Sequence, residues 1–136
     1  MRYLAVDLGD KRTGLAVGDD ASGLVTPAGM IEKPIKPGEE LLAGIDGAID
    51  EFGPDALVFG LPLNMDDSEG PRAKLVRAFA ARTAERTGLA VEFQDERLTS
   101  AEANWSMARS GMTRGQKKNR RDALAAAAIL RDFLER

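Results

Sequence analysis

Three acidic residues stand where the chain could build a reaction centre. Asp7 ends the first apolar segment, Glu96 lies just past the last one, and Asp122 sits near the start of an Ala-rich segment. Carboxylates are hard oxygen ligands, suited to Mg²⁺ or Mn²⁺. The chain has 0 His and 0 Cys, which removes ordinary zinc sites, Ser-His and Cys-His nucleophile pairs, and the usual general base near neutral pH. A bound divalent ion can activate water where histidine is missing.

Each acid also has a plainer reading. Asp7 could be a turn residue, a use Asp favours. Asp122 is expected in the first turn or so of the last helix, where an acid complements the helix dipole. It shares a helical face with Ala126, Ile129 and Phe133, however, and an ionised group on an apolar face is costly unless neutralised. Asp95 competes with Glu96. It has the parity of Val91 and Phe93, whereas Glu96 has that of Glu92 and Gln94, so alternation along a strand favours Glu96.

Lys11, Arg12 and Arg97 flank these acids and could hold phosphates, or be ordinary solvated surface. Residues 103–121 contain no acid but six bases: Arg109, Arg114, Lys117, Lys118, Arg120 and Arg121. The net charge is −3, so without those six the rest of the chain stands at −9. A concentrated basic segment on an acidic body points to a local polyanion contact, with Arg114, Lys117, Lys118 and Arg120 as candidate nucleic-acid contacts. Trp105 could stack a base, although packing is the plainer use.

The elements that must position these residues follow from periodicity. Arg2–Leu8 and Gly14–Gly18 flank the turn-rich 9–13 as a β-hairpin, with a third strand between Leu24 and Glu32. Leu41, Ile45, Ala48, Ile49 and Phe52 recur at helical spacing until Gly53-Pro54 stops them. Ala56–Phe59 is a compact buried strand leaving through Gly60-Leu61-Pro62. The stretch 60–65 either shapes a substrate groove or simply turns a strand into a helix. Pro71 opens a helix with Leu75, Val76, Phe79, Ala80 and Thr83 inward and Gly88 at its end. Leu89–Gln94 is the last strand. Thr99 and Glu102 form a capping box for a helix ending near Gly111. A flexible stretch, Thr113–Gln116, then precedes a final helix over Lys117–Glu135. The order β-β-β-α-β-α-β-α-α implies an α/β fold, a mixed sheet flanked by helices.

The 136 residues amount to one domain, 1–136, able to bury about 68% of the unfolded surface. Hydrophobic residues at 43% and charged residues at 30% suit a soluble globular protein, and no apolar run is long enough to span a bilayer. With no cysteine and no signal-peptide pattern, a cytoplasmic location is expected.

Four ordered blocks resemble the YqgF family, the Holliday-junction-resolvase-like proteins. They are Asp7-Leu8-Gly9-Asp10-Lys11-Arg12-Thr13-Gly14-Leu15-Ala16, Gly60-Leu61-Pro62-Leu63-Asn64-Met65-Asp66, Asp95-Glu96-Arg97-Leu98-Thr99 and Asp122-Ala123-Leu124-Ala125-Ala126. One departure is Asp67, where Gly is expected; Asp tolerates left-handed backbone better than most residues. The resemblance implies an RNase H-like fold with Asp7, Glu96 and Asp122 as catalytic and metal-binding acids for Mg²⁺ or Mn²⁺, two ions in all. It implies a nuclease, either maturing the 5′ end of pre-16S rRNA in ribosomal precursor particles or resolving branched DNA. The first task would suit a monomer and the second a homodimer. Two other classes remain: a nucleic-acid- or ribosome-binding factor without hydrolysis, and a sugar-kinase or actin-like ATPase. The ATPase needs two related domains, for which 136 residues leave no room.

Overall fold

The computed structural model describes residues 1–96 and 114–136, with side chains over 1–96 and 121–136. The helix expected between Thr99 and Gly111, with Trp105 on it, lies outside the described residues, as does Arg97. Five strands form one mixed sheet in the order β3-β2-β1-β4-β5. β1 (Arg2–Asp7), β2 (Thr13–Asp19) and β3 (Val25–Ile31) make an antiparallel meander. β4 (Ala56–Leu61) and β5 (Ala90–Asp95) add parallel to the other edge of β1. A parallel pair requires a crossover, and the helices between the strands supply it: α1 (Glu39–Phe52) before β4, and α2 (Pro71–Thr87) between β4 and β5.

Alternation along the strands divides the molecule into two packed layers. Leu4 and Val6 of β1, Leu15 of β2, and Leu57, Phe59 and Leu61 of β4 pack against Leu41, Leu42 and Ile45 of α1 and against Val76, Phe79 and Ala80 of α2. Ala73 is fully buried on α2 while Leu75 is only half-buried, so the inner face is turned slightly from the one expected. β4 continues through Gly60 to Leu61, beyond the expected end at Phe59, because ladder pairing to Gln94 and Asp95 carries it on. Each side chain of this size contributes about 1.5–3 kcal/mol when fully buried.

The last helix, α3 (Arg114–Glu135), covers the opposite face. It begins at Arg114, not after a flexible stretch through Gln116, so Asp122 lies more than two turns inside it. A dipole contribution fades within the first turn, and the helix-start explanation of Asp122 is thereby overturned. The inner face of α3 is Ala126, Ala127, Ile129 and Leu130, seated on Ala5, Ala16 and Val58, with Phe133 edge-on to Tyr3 at 5.1 Å. Small residues on both surfaces let helix and sheet approach closely. An added Cβ on Gly14 would stand 1.9 Å from the Asp122 carbonyl oxygen, and one on Gly18 would stand 2.9 Å from Leu130.

Candidate active site

β1, β4 and β5 run in one direction, so their carboxyl ends lie together at one edge of the sheet, the edge at which open α/β sheets place their ligands. Asp7 closes β1 and shares the α3 side of the sheet with Ala5. Its ladder partner is Gly14, over which the backbone of Asp122 passes. Glu96 follows β5 directly. An added Cβ on Gly60 would stand 2.4 Å from Glu96 Oε2, which fixes the Glu96 carboxylate above Gly60, also on the α3 side. Asp95 pairs with Leu61 and has the parity of Phe93, which packs into the other layer. The structure therefore brings Asp7, Glu96 and the Asp122 segment to one place, and sends Asp95 to the other face.

Electrostatics marks the same place. Burial raises the Asp7 pKa well above the ordinary carboxylate range; the charge of Glu96, a hydrogen bond shared with it, and the charge of Asp122 push the same way. Burial also raises Glu96, only partly offset by its hydrogen bond with Asp7 and the charge of Arg72. The two carboxyls therefore resist ionising together. Asp122 is turned differently: Arg12 Nε donates to its Oδ2 at 3.0 Å, with both side chains partly buried.

Among the described residues no three acids stand as a finished metal cage, and Asp122 is engaged by Arg12. The donor chemistry nonetheless fits a hard divalent cation. Two carboxylates that resist ionising beside each other, with a third within electrostatic reach, are what such an ion would neutralise.

Beside Asp122 lies a cleft of about 340 Å³ lined by Gly9, Asp10, Lys11, Arg12 and Asp122. Its lining carries two cations, Lys11 and Arg12, of the kind that bind phosphate, and two carboxylates, Asp10 and Asp122, paired with Arg72 and Arg12. Arg114, Lys117, Lys118 and Arg120 all fall on the first part of α3, whose side chains lie outside the described residues.

Arg72 was not apparent from sequence. From the first turn of α2 it donates to Leu8 O at 2.8 Å and also pairs with Asp10, tying the β1–β2 loop down beside Asp7. The only local sign was a cation immediately after Pro71 at a helix start, where cations are unfavourable. Two strand glycines, Gly14 and Gly60, could have been found from the rule that glycine within a strand marks close approach. The loop after β4 is held by Asn64 Nδ2 donating to Ser68 Oγ at 3.0 Å and Ser68 N donating to Asp66 Oδ1 at 3.0 Å. Asp67 there has φ 70°, the left-handed backbone expected of a position usually filled by Gly.

Comparison with known proteins gives a consistent picture. The family model RuvX, described as Holliday junction resolvase, matches residues 1–136. A relative from Anaeromyxobacter sp. (strain Fw109-5), named "Putative pre-16S rRNA nuclease", is 41% identical over 135 residues, covering 99% of this chain and 97% of its own length. Among solved structures, Thermus thermophilus RuvC in complex with Holliday junction substrate superposes with a TM-score of 0.57 at 13% identity, covering 95% of this chain and 92% of that one. The fowlpox virus resolvase with Holliday junction DNA superposes with a TM-score of 0.58 at 10% identity, covering 100% of both chains. At such low identity these structures establish the fold, which is RNase H-like.

Proposed function

We propose, from the premise that this chain belongs to the RuvX family and is a nuclease, that it is a divalent-metal-dependent endonuclease maturing the 5′ end of pre-16S rRNA. Asp7, Glu96 and Asp122 are its catalytic and metal-holding acids. The observation that carries this reading is the meeting of β1, β5 and α3 at one edge of the sheet, where the Asp7 and Glu96 side chains are hydrogen-bonded to each other. The name of the Anaeromyxobacter relative supports the rRNA substrate.

Bound Mg²⁺ or Mn²⁺, two ions in this reading, would supply an activated water and charge neutralisation at the phosphoryl group. The chain's residues do the rest. Asp7 and Glu96 present carboxylate oxygens from the ends of β1 and β5. Gly60 leaves the space that the Glu96 carboxylate occupies. Lys11 and Arg12 hold a phosphate in the adjoining cleft. Arg97 and the basic run Arg114, Lys117, Lys118 and Arg120 follow the substrate backbone. Among the described residues no helix is long and apolar enough to cross a membrane. The rRNA substrate of this reading places the protein in the cytoplasm, where ribosomal precursor particles assemble.

The second reading, resolution of branched DNA, is favoured by the family description itself. It calls for a homodimer making two cuts, whereas trimming one RNA end suits a monomer. Mn²⁺-dependent cleavage of labelled pre-16S rRNA fragments and of four-way DNA junctions, measured side by side, separates the two. Asp7→Asn, Glu96→Gln and Asp122→Asn are expected to be inactive on the preferred substrate and Asp95→Asn active. A folded Asp7→Asn protein cutting at the wild-type rate would overturn the site.

A further inference from the structure

The Arg12–Asp122 pair poses a physical problem that its two partners share. A phosphate in the cleft needs the Arg12 guanidinium, and a cation beside Asp7 needs the Asp122 carboxylate, yet the two groups occupy each other at 3.0 Å. We propose that Arg12 is a positioning residue that exchanges Asp122 for a substrate phosphate, so that nucleic acid and divalent metal bind this site cooperatively. The proposal rests on the nuclease reading above and adds its order of assembly.

The geometry favours exchange over a fixed structural pair. Both side chains are only partly buried, at 32% and 20% exposure, and both line the same open cleft, so an incoming phosphate reaches the guanidinium without unfolding anything. Arg12 contacts Asp122 through Nε, and a guanidinium suits the paired oxygens of a phosphate at least as well as those of a carboxylate. The α3 backbone beneath Asp122 is fixed against Gly14, so releasing the pair moves a side chain and not the helix. On the other side of the loop, Arg72 holds Asp10 and Leu8 O. Arg12 can therefore change partner while Asp7, one residue before Leu8, stays in place. Asp122 also stands over Gly14, the ladder partner of Asp7, so the released side chain is already beside Asp7. Coupling between two ligands is reciprocal: whatever nucleic acid does for metal affinity, metal must do for nucleic-acid affinity.

The test measures Mn²⁺ binding by the whole chain, by electron paramagnetic resonance of free Mn²⁺, with and without a short nuclease-resistant 2′-O-methyl RNA. Wild type is expected to bind Mn²⁺ about 5–10-fold more tightly with the RNA present. Arg12→Gln is expected to bind Mn²⁺ more tightly than wild type without RNA, and to lose most of the RNA-dependent gain. Arg12→Lys should restore part of it, as a point charge without the planar fork. Lys11→Gln leaves the Arg12–Asp122 pair intact, so it is expected to weaken RNA binding but to tighten Mn²⁺ binding without RNA far less than Arg12→Gln does. If Arg12→Gln leaves Mn²⁺ affinity and coupling unchanged while Asp122→Asn weakens Mn²⁺ binding, the exchange is refuted and the metal site stands. If Asp122→Asn also leaves Mn²⁺ binding unchanged, the three-acid site itself is wrong and the exchange falls with it. Equal tightening of Mn²⁺ binding without RNA in Lys11→Gln and Arg12→Gln would also refute it, reducing the effect to local charge.

Discussion

Gly14→Ala tests whether α3 is seated on β2 closely enough to deliver Asp122 to Asp7. The added Cβ would stand 1.9 Å from the Asp122 carbonyl oxygen and 2.4 Å from its carbon. Ordinary contact begins near 3.4 Å, so helix and strand must separate by about 1.5 Å at this point. The obstructing atoms are backbone in the middle of a helix and cannot swing aside. Overpacking typically costs about 1–3 kcal/mol, and the upper end applies here. A misplacement of about 1 Å at a reaction centre costs about 10²-fold in rate, so cleavage should fall by that factor even where the variant is fully folded. The control is Gly47→Ala on α1, where nothing lies within 4 Å of the new Cβ. That change should stabilise the protein by about 0.5–1 kcal/mol. Urea unfolding followed by circular dichroism gives the stabilities, and single-turnover cleavage at saturating Mn²⁺ gives the rates. Wild-type midpoint and wild-type rate for Gly14→Ala would refute the seating of α3 and with it the route by which Asp122 reaches the site.

Three further outcomes are expected. Asp7→Asn should lower cleavage by about 10²–10³-fold or more, yet raise the melting temperature in chelator at neutral pH. The folded-state pKa of Asp7 is raised, so its ionisation penalty is absent below the unfolded value and complete above the folded one. The mutant's advantage should accordingly shrink as melts are repeated towards pH 4, and an advantage independent of pH would refute the assignment. Gly60→Ala places a Cβ 2.4 Å from Glu96 Oε2 and 2.5 Å from Ile129 Cδ1. Both are side-chain ends that can move, so activity should fall at least 10-fold with a smaller stability loss than Gly14→Ala produces. Lys117→Ala and Lys118→Ala should each flatten the log–log salt dependence of single-stranded RNA binding by about 0.7, and an unchanged slope in filter-binding assays would assign both to solvated surface.

Local order was readable from the chain because it is a local property. The periodicity of Leu41, Ile45 and Ala48, the stop at Gly53-Pro54 and the start at Pro71 depend on neighbours a few residues away, and the described helices and strands follow them. The chemical class was readable too. With 0 His and 0 Cys, the tools left to a centre were carboxylates, hydroxyls, Lys and Arg, of which carboxylates suit a hard divalent ion, and parity alone put Asp95 and Glu96 on different faces. Tertiary structure decided the partners. Arg12 and Asp122 are 110 residues apart, and Arg72 reaches Leu8 across 64. No spacing rule spans such separations, because a contact between helix and sheet is set by how closely their surfaces pack. Here two glycines without side chains, Gly14 beneath the helix backbone and Gly60 beneath Glu96, set that distance. The sequence determined which groups could act; the close approach of α3 to the sheet decided which of them meet, and left Asp122 in the grip of Arg12.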